Sequence, residues 1–174
     1  FRARSDGEFF YIPLTKKVKG MTIVQYSFEE KTEKNVLERE LDKILSQKEK
    51  EMLPRSQEIV GDIMILEIPD VLRKKEKKIA EIFLKTNRHV KTVVKKKDIH
   101  GGTFRTRRVT VLAGVRKKET VHRESGCNLR VHIEKMYFSA RLAHERLRIA
   151  EQVRKNEKVL VMFGGVAPFA VVIA

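Results

Sequence analysis

The feature that most limits what this chain can become is the run Val159 to Ala174, Val-Leu-Val-Met-Phe-Gly-Gly-Val-Ala-Pro-Phe-Ala-Val-Val-Ile-Ala. A membrane-spanning helix needs about 20 apolar residues. This run is shorter and is broken by Gly164-Gly165 and Pro168, so no membrane partner is expected. The pattern predicts a buried strand over Val159 to Phe163, a glycine turn, and a helix opening at Pro168, where the missing proline N–H would have no helical partner anyway. Strand, glycine turn and helix in that order open a nucleotide-binding α/β domain. On this reading the 174 residues end just after such a domain begins.

Upstream, two strand-like runs, Phe9-Phe10-Tyr11-Ile12 and Met21 to Tyr26, flank a basic stretch ending in Gly20. Two strands alone are marginal in water, which makes them the remainder of a small domain. The N-terminus Phe1-Arg2-Ala3-Arg4-Ser5 is neither an initiator Met nor a signal sequence, so the chain reads as a piece of a longer one. Residues 27 to 35 are polar and linker-like. From Val36 a helical period places Leu37, Leu41, Ile44 and Leu45 on one face and ends before Pro54. A βαβ-like stretch follows: a strand over Ile63 to Ile68, a helix over Val71 to Leu84 with Leu72, Ile79, Ile82 and Phe83 apolar, and a strand over Val90 to Val94.

Strands at Glu119 to Arg123 and Leu129 to Glu134 bracket a turn at Glu124-Ser125-Gly126. Their alternation predicts Val121, Val131 and Ile133 inside and His122, Arg130 and His132 outside. A last helix, Arg141 to Arg154, is expected to present Leu142, Ile149 and Val153 as its apolar stripe, with Glu145, Arg146 and Arg148 off it. The fold class expected is an α+β middle domain with a mixed or antiparallel sheet, preceded by part of a small α/β domain and followed by an opening strand-turn-helix. The divisions fall at residues 1–30, 31–154 and 155–174.

Charge is concentrated in one place. The chain carries 38 Lys or Arg against 23 Asp or Glu, a formal +15, and residues 71 to 125 hold 18 of those cations against five acids. Solubility alone does not gather charge this way, and a polyanion is the expected partner. Phe83 and Phe104 are the only aromatics there, which disfavours a stacking platform for single strands and favours phosphate and shape contacts to a folded RNA. The lone Cys127 cannot form an internal disulfide, and a reducing cytoplasm is the expected compartment. The five histidines do not fall at metal-ligand spacings, so no metal is expected, and a Gly-x-x-x-x-Gly-Lys phosphate loop is absent.

The blocks Phe104-Arg105-x-Arg107, Leu112-Ala113-Gly114, Thr120-Val121-His122-Arg123-Glu124-x-Gly126, Lys135-x-Tyr137-Phe138-Ser139-x-Arg141-Leu142-x-x-Glu145-Arg146-x-Arg148-Ile149 and Met162-Phe163-x-Gly165-Val166-x-Pro168-Phe169 resemble, in order and spacing, the archaeal and eukaryotic tRNA (guanine-37 N1) methyltransferase family. A weaker likeness extends back over Val60-Gly61-Asp62 and to Tyr11-Ile12-Pro13. The resemblance implies a small tRNA-docking domain, here incomplete, a middle domain, and the opening of a Rossmann-type domain that binds S-adenosylmethionine. It differs from the family's usual pattern at Val161, where an acid is common, at Ala140, where proline is common, and at Ala167, where the family often has the last glycine of Gly-Val-Gly.

The resemblance implies an enzyme, and a monomer is expected. Guanine N1 bears a proton at neutral pH, so methylation there calls for a general base at N1 and a cation at O6. The resemblance assigns Glu145 to the first task and Arg105 to the second. The residues themselves allow a plainer reading, in which Glu145 is an exposed helix carboxylate paired with Arg141 or Arg148. Cofactor contacts are implied for Tyr137 and for the turn Phe163, Gly164, Gly165, Val166, Ala167 and Pro168. tRNA contacts are expected from Lys95, Lys96, Lys97, Arg107, Arg108, Arg141 and Arg146. Because parts of the family's catalytic domain would lie beyond Ala174, the chain alone is expected to be inactive. Two other readings stay open: the sister activity that transfers the aminocarboxypropyl group of the same cofactor, and a non-catalytic RNA-binding module.

Overall fold

A computed structural model describes residues 4–5, 10–11, 24, 35–54, 57–97, 107–162 and 164–174. Strands β1 (Arg4–Ser5) and β2 (Phe10–Tyr11) pair antiparallel. Most of the expected runs Phe9 to Ile12 and Met21 to Tyr26, and nearly all of the linker, lie outside the described residues.

The single helix expected from Val36 is two: α1 (Val36–Asp42) and α2 (Gln47–Glu51). Each begins in a reciprocal capping box, Asn35 with Glu38 and Ser46 with Glu49. Ser46 accepts from the Glu49 N–H, which starts a new helix where the apolar period alone runs straight through. Strands β3 (Glu58–Val60) and β4 (Ile63–Leu66) form a tight hairpin across Gly61-Asp62. A 3-10 turn, Asp70–Lys75, leads into α3 (Glu76–Thr86), and α3 into β5 (Thr92–Lys96), parallel to β4. Strand β6 (Val109–Gly114) closes the sheet antiparallel to β5. The four-stranded mixed sheet has the order β3-β4-β5-β6.

All four residues of β4 are buried, because both faces of the sheet are covered. On one side Met64, Leu66 and Val93 pack with Ile79, Ala80 and Phe83 of α3 and Leu41 of α1. On the other, Val60, Ile63, Ile65, Val94 and Val109 pack against Leu129, Val131, Ile133 and Phe138. That second layer comes from the hairpin β7 (Glu119–Glu124) and β8 (Cys127–His132) and the segment after it. A 3-10 turn, Ala140–Leu142, then leads into α4 (Ala143–Ala150), and the chain ends in α5 (Pro168–Ile173). The mixed α+β class is as expected, and α5 opens at Pro168 with proline in its first turn.

Three further expectations are corrected. The β7–β8 turn has two residues, Ser125 and Gly126, both at positive φ, so Glu124 pairs with Cys127 and Val121 with Arg130. A three-residue loop would have set Val121 opposite Leu129. The one-residue difference in register turns the whole of β7 over, leaving Val121 47% exposed and Thr120 buried beside His122 on the inner face. Arg146 is the buried residue of α4, and Leu142, in the 3-10 turn before it, is exposed, because Arg146 has an internal carboxylate to reach. The expected strand over Val159 to Phe163 is not formed among its described residues, and Leu160 is 84% exposed. A parallel strand exists only by hydrogen bonding to neighbours, and among the described residues no strand lies beside this one.

Candidate functional site

Tyr137 follows β8 and lies 43% exposed at the edge of the second core layer. The turn after Met162 folds back to it: a Cβ placed on Gly165 would stand 3.3 Å from the Tyr137 carbonyl oxygen. Glycine at φ +57 therefore lets the two backbones meet. The Ala167 N–H donates to the Gly164 carbonyl at 2.7 Å, and Val166 packs against the core. Ala167 occupies the left-handed region, φ 54 and ψ 37, immediately before Pro168. Thus Tyr137 and the Gly164–Pro168 turn, expected to share a cofactor, are neighbours; Phe163 lies outside the described residues. What meets the turn is the Tyr137 backbone carbonyl, and it does so at a glycine that carries no side chain.

Glu145 lies in the first turn of α4, half-buried, and accepts from Arg148 Nε at 2.8 Å and Nη2 at 2.7 Å. The Arg148 guanidinium outweighs desolvation and holds the Glu145 carboxyl below its ordinary range. The carboxylate is thus ionised and able to receive a proton, with its proton affinity lowered by the arginine. The i, i+3 pair is the plainer of the two arrangements the sequence allows for Glu145. Arg105 lies outside the described residues.

The seven cations expected at tRNA divide into three groups. Lys97, Arg108 and Arg141 are exposed. Lys95 is paired with Glu76 at 3.0 Å and Lys96 with Glu67 at 3.1 Å. Arg107 and Arg146 are enclosed, 7% and 1% exposed. Arg107 forks onto Glu58 at 2.6 and 3.1 Å and donates to the Phe138 carbonyl at 2.9 Å. Arg146 forks onto Glu124, through Nε and through Nη2 at 2.6 Å, and donates to the Ser139 carbonyl at 3.1 Å. Its guanidinium also lies 5.1 Å from the Phe138 ring centroid. Both are held by internal partners and present no charge to a polyanion. Their burial was not legible in sequence, because an arginine in a basic chain looks the same whether or not a carboxylate 49 or 22 positions away folds against it.

Other cations gather where none was singled out. Lys91, Lys117, Arg123 and Arg130, with His89, line an open depression of about 800 Å3 on the outer face of the hairpin. Lys117 is tied to Asp62 at 2.6 Å. The signal in sequence was the charge density of residues 71 to 125, but the inverted register of β7 decides that Arg123 faces outward with Arg130. Inside, His122 and Glu124 join two turns: the Gly61 N–H donates to His122 Nδ1 at 3.2 Å, and His122 Nε2 lies 3.2 Å from Glu124. Burial of Glu124 is outweighed by the Arg146 guanidinium, which keeps its carboxyl below the ordinary range. Among the described residues no group of three potential metal ligands occurs, and no helix is long and apolar enough to cross a membrane.

Residues 37–117 match a family model described as the TYW2 N-terminal domain, and residues 120–174 one described as the TRM5/TYW2 methyltransferase domain. A tRNA (guanine(37)-N(1))-methyltransferase Trm5b of Pyrococcus abyssi is 35% identical over 174 residues, covering 100% of this chain and 52% of the relative. The crystal structure of a complex of aTrm5 and tRNALeu superposes with a TM-score of 0.72 at 31% identity, covering 99% of this chain and 56% of that one. Pyrococcus horikoshii TYW2 in complex with MeSAdo gives a TM-score of 0.52 at 27% identity, over 68% of this chain and 40% of that one. The chain spans about half the length of the curated relatives it matches.

Proposed function

The chain belongs to the TRM5/TYW2 family, and from that footing we propose that it forms the RNA-facing part of an S-adenosylmethionine-dependent tRNA methyltransferase that makes N1-methylguanosine at position 37. On this reading residues 31–154 are a middle domain that meets tRNA, and residues 155–174 begin the cofactor-binding domain. The observation that carries the reading is the union, within one chain alike throughout its length to Trm5b, of Tyr137 and the Gly164–Pro168 turn.

S-adenosylmethionine supplies a methyl group made electrophilic by its sulfonium. The chain's own residues prepare the acceptor. Glu145 takes the proton from guanine N1, leaving an electron pair on that nitrogen, and Arg105 balances the charge that shifts to O6. For Glu145 to work, the guanine edge must compete with Arg148 for the carboxylate, since both Glu145 oxygens are occupied by that guanidinium. Tyr137 and the Gly165 backbone form a wall for the cofactor. Lys97, Arg108 and Arg141 remain exposed for phosphates.

A second reading, aminocarboxypropyl transfer, has in its favour the TYW2 description of the model over residues 37–117. Against it stands the poorer superposition on TYW2, 0.52 against 0.72. Glu145→Gln, in a protein carrying the complete methyltransferase domain, separates the two chemistries. Loss of a general base costs about 100- to 10,000-fold in rate, with tRNA binding retained. A rate within about two-fold of the parent would remove Glu145 from the mechanism and with it the main reason to prefer N1 methylation.

A further inference from the structure

Arg107 and Arg146 arrive from different parts of the chain, yet their donors end on consecutive carbonyls, those of Phe138 and Ser139. Each guanidinium is fixed by its own buried or half-buried carboxylate, Glu58 of β3 and Glu124 of β7. Between them the Phe138 ring is packed by Arg146 on one side and by His122 at a centroid distance of 5.0 Å. The segment so held directly follows Tyr137, whose carbonyl meets the Gly165 turn. The 3-10 turn and α4 with Glu145 directly follow Ser139.

We propose that Glu58–Arg107 and Glu124–Arg146 form a two-armed clamp on the Phe138-Ser139 backbone that positions Tyr137 for the cofactor. The inference rests on the functional reading above and adds four positioning residues to it. A planar guanidinium held bidentately by a carboxylate points its remaining N–H groups in one direction, so each arm fixes a carbonyl in angle as well as in distance. Apolar packing cannot do this. It fills the same volume and secures folding, while leaving the peptide planes of residues 138 and 139 free to tilt. A buried ion pair contributes little net stability over a well-packed apolar pair, which makes orientation the better explanation for keeping two of them 31 residues or fewer from a shared pair of carbonyls.

That difference supplies the test. Glu124→Leu/Arg146→Met and Glu58→Leu/Arg107→Met remove each arm without stranding a charge. In a protein with the complete methyltransferase domain, each is expected to melt near or above the parent. The Kd for S-adenosylmethionine, measured by calorimetry, should rise about ten-fold or more through lost preorganisation. The Kd for tRNA should stay within about two-fold, because neither arginine reaches the surface. A folded variant whose cofactor Kd is unchanged overturns the clamp. If an apolar pair does not fold, Arg146→Lys and Arg107→Lys, which keep the charge and lose the fork, are judged by the same two constants. A parent protein that binds tRNA but no S-adenosylmethionine would instead defeat the functional reading, before any variant is compared.

Discussion

Replacing Gly61 by alanine tests the join between the sheet and the hairpin. Gly61 has φ +55, and a Cβ there would lie 2.5 Å from the Val121 carbonyl oxygen and closer still to Thr120 Oγ1. The Thr120 hydroxyl can turn, but it bonds Asp62 at 2.7 Å, and Val121 is fixed by its pairing with Arg130. Three costs add. The left-handed conformation costs an alanine about 1–2 kcal/mol, overpacking about 1–3 kcal/mol, and the displaced Gly61 N–H to His122 bond about 1 kcal/mol. The sum, about 3–6 kcal/mol, corresponds to a fall in Tm of roughly 6–24 °C for a chain of this size. Gly126→Ala is the control, because its φ is +76 with nothing within 4 Å of the added Cβ. It carries the conformational cost alone, about 1–2 kcal/mol. Thermal unfolding of both variants by circular dichroism measures the difference. Equal Tm values would refute the close approach of the hairpin to the β3–β4 turn.

Other expected outcomes concern the cofactor turn, acid and salt. Ala167→Gly relieves a left-handed alanine, φ 54, and should raise Tm by about 1–4 °C once the entropy of the added glycine is subtracted; a fall in Tm would contradict the turn geometry. Glu124, Asp62 and Glu134 all titrate below their ordinary values. For depressed carboxylates the stabilisation is present above the ordinary carboxyl range and is lost as pH falls through the depressed values. Tm should therefore hold from neutrality down to about pH 5 and drop below it, and Glu124→Leu/Arg146→Met should drop less. A parallel acid profile for the two proteins would count against the Glu124 pair. Charge reversal at Arg123 and Arg130 should weaken binding of an unmodified tRNA transcript and flatten its salt dependence, each lost phosphate contact removing about one from the slope. An unchanged slope would place the RNA elsewhere.

Local signals were legible in the sequence wherever one neighbour decides the outcome. Pro168 opens α5 because a proline belongs in a first turn, and the apolar period of α3 finds its sheet. Ser46 begins a second helix through a capping box that the sequence also spells, Ser46-x-x-Glu49, but that the continuing leucine period concealed. Strands β3 and β6 were missed: three residues before Gly61 are too short to alternate, and Val109 to Gly114 have neither a polar-apolar alternation nor a turn of their own. The faces of β7 turned on whether its loop has two residues or three, a choice fixed by Ser125 and Gly126 together. At the site, Tyr137 and the glycine turn were identified from the family's motif spacing, and the fold brings them side by side. The long-range ion pairs were not legible, because Glu58 with Arg107 and Glu124 with Arg146 are separated by 49 and 22 positions, and only the folded sheet brings them together.

The central claim concerns which group moves and where it lands. A protein carrying this chain and the complete methyltransferase domain should be incubated with unmodified tRNA transcript and S-adenosylmethionine, in parallel reactions labelled either in the methyl group or in the aminocarboxypropyl chain. The tRNA is then digested and its nucleosides mapped. Methyl label at N1 of guanosine 37, with none from the aminocarboxypropyl chain, is the expected result. Label arriving only from the aminocarboxypropyl chain, or tRNA bound without any transfer, would contradict the account.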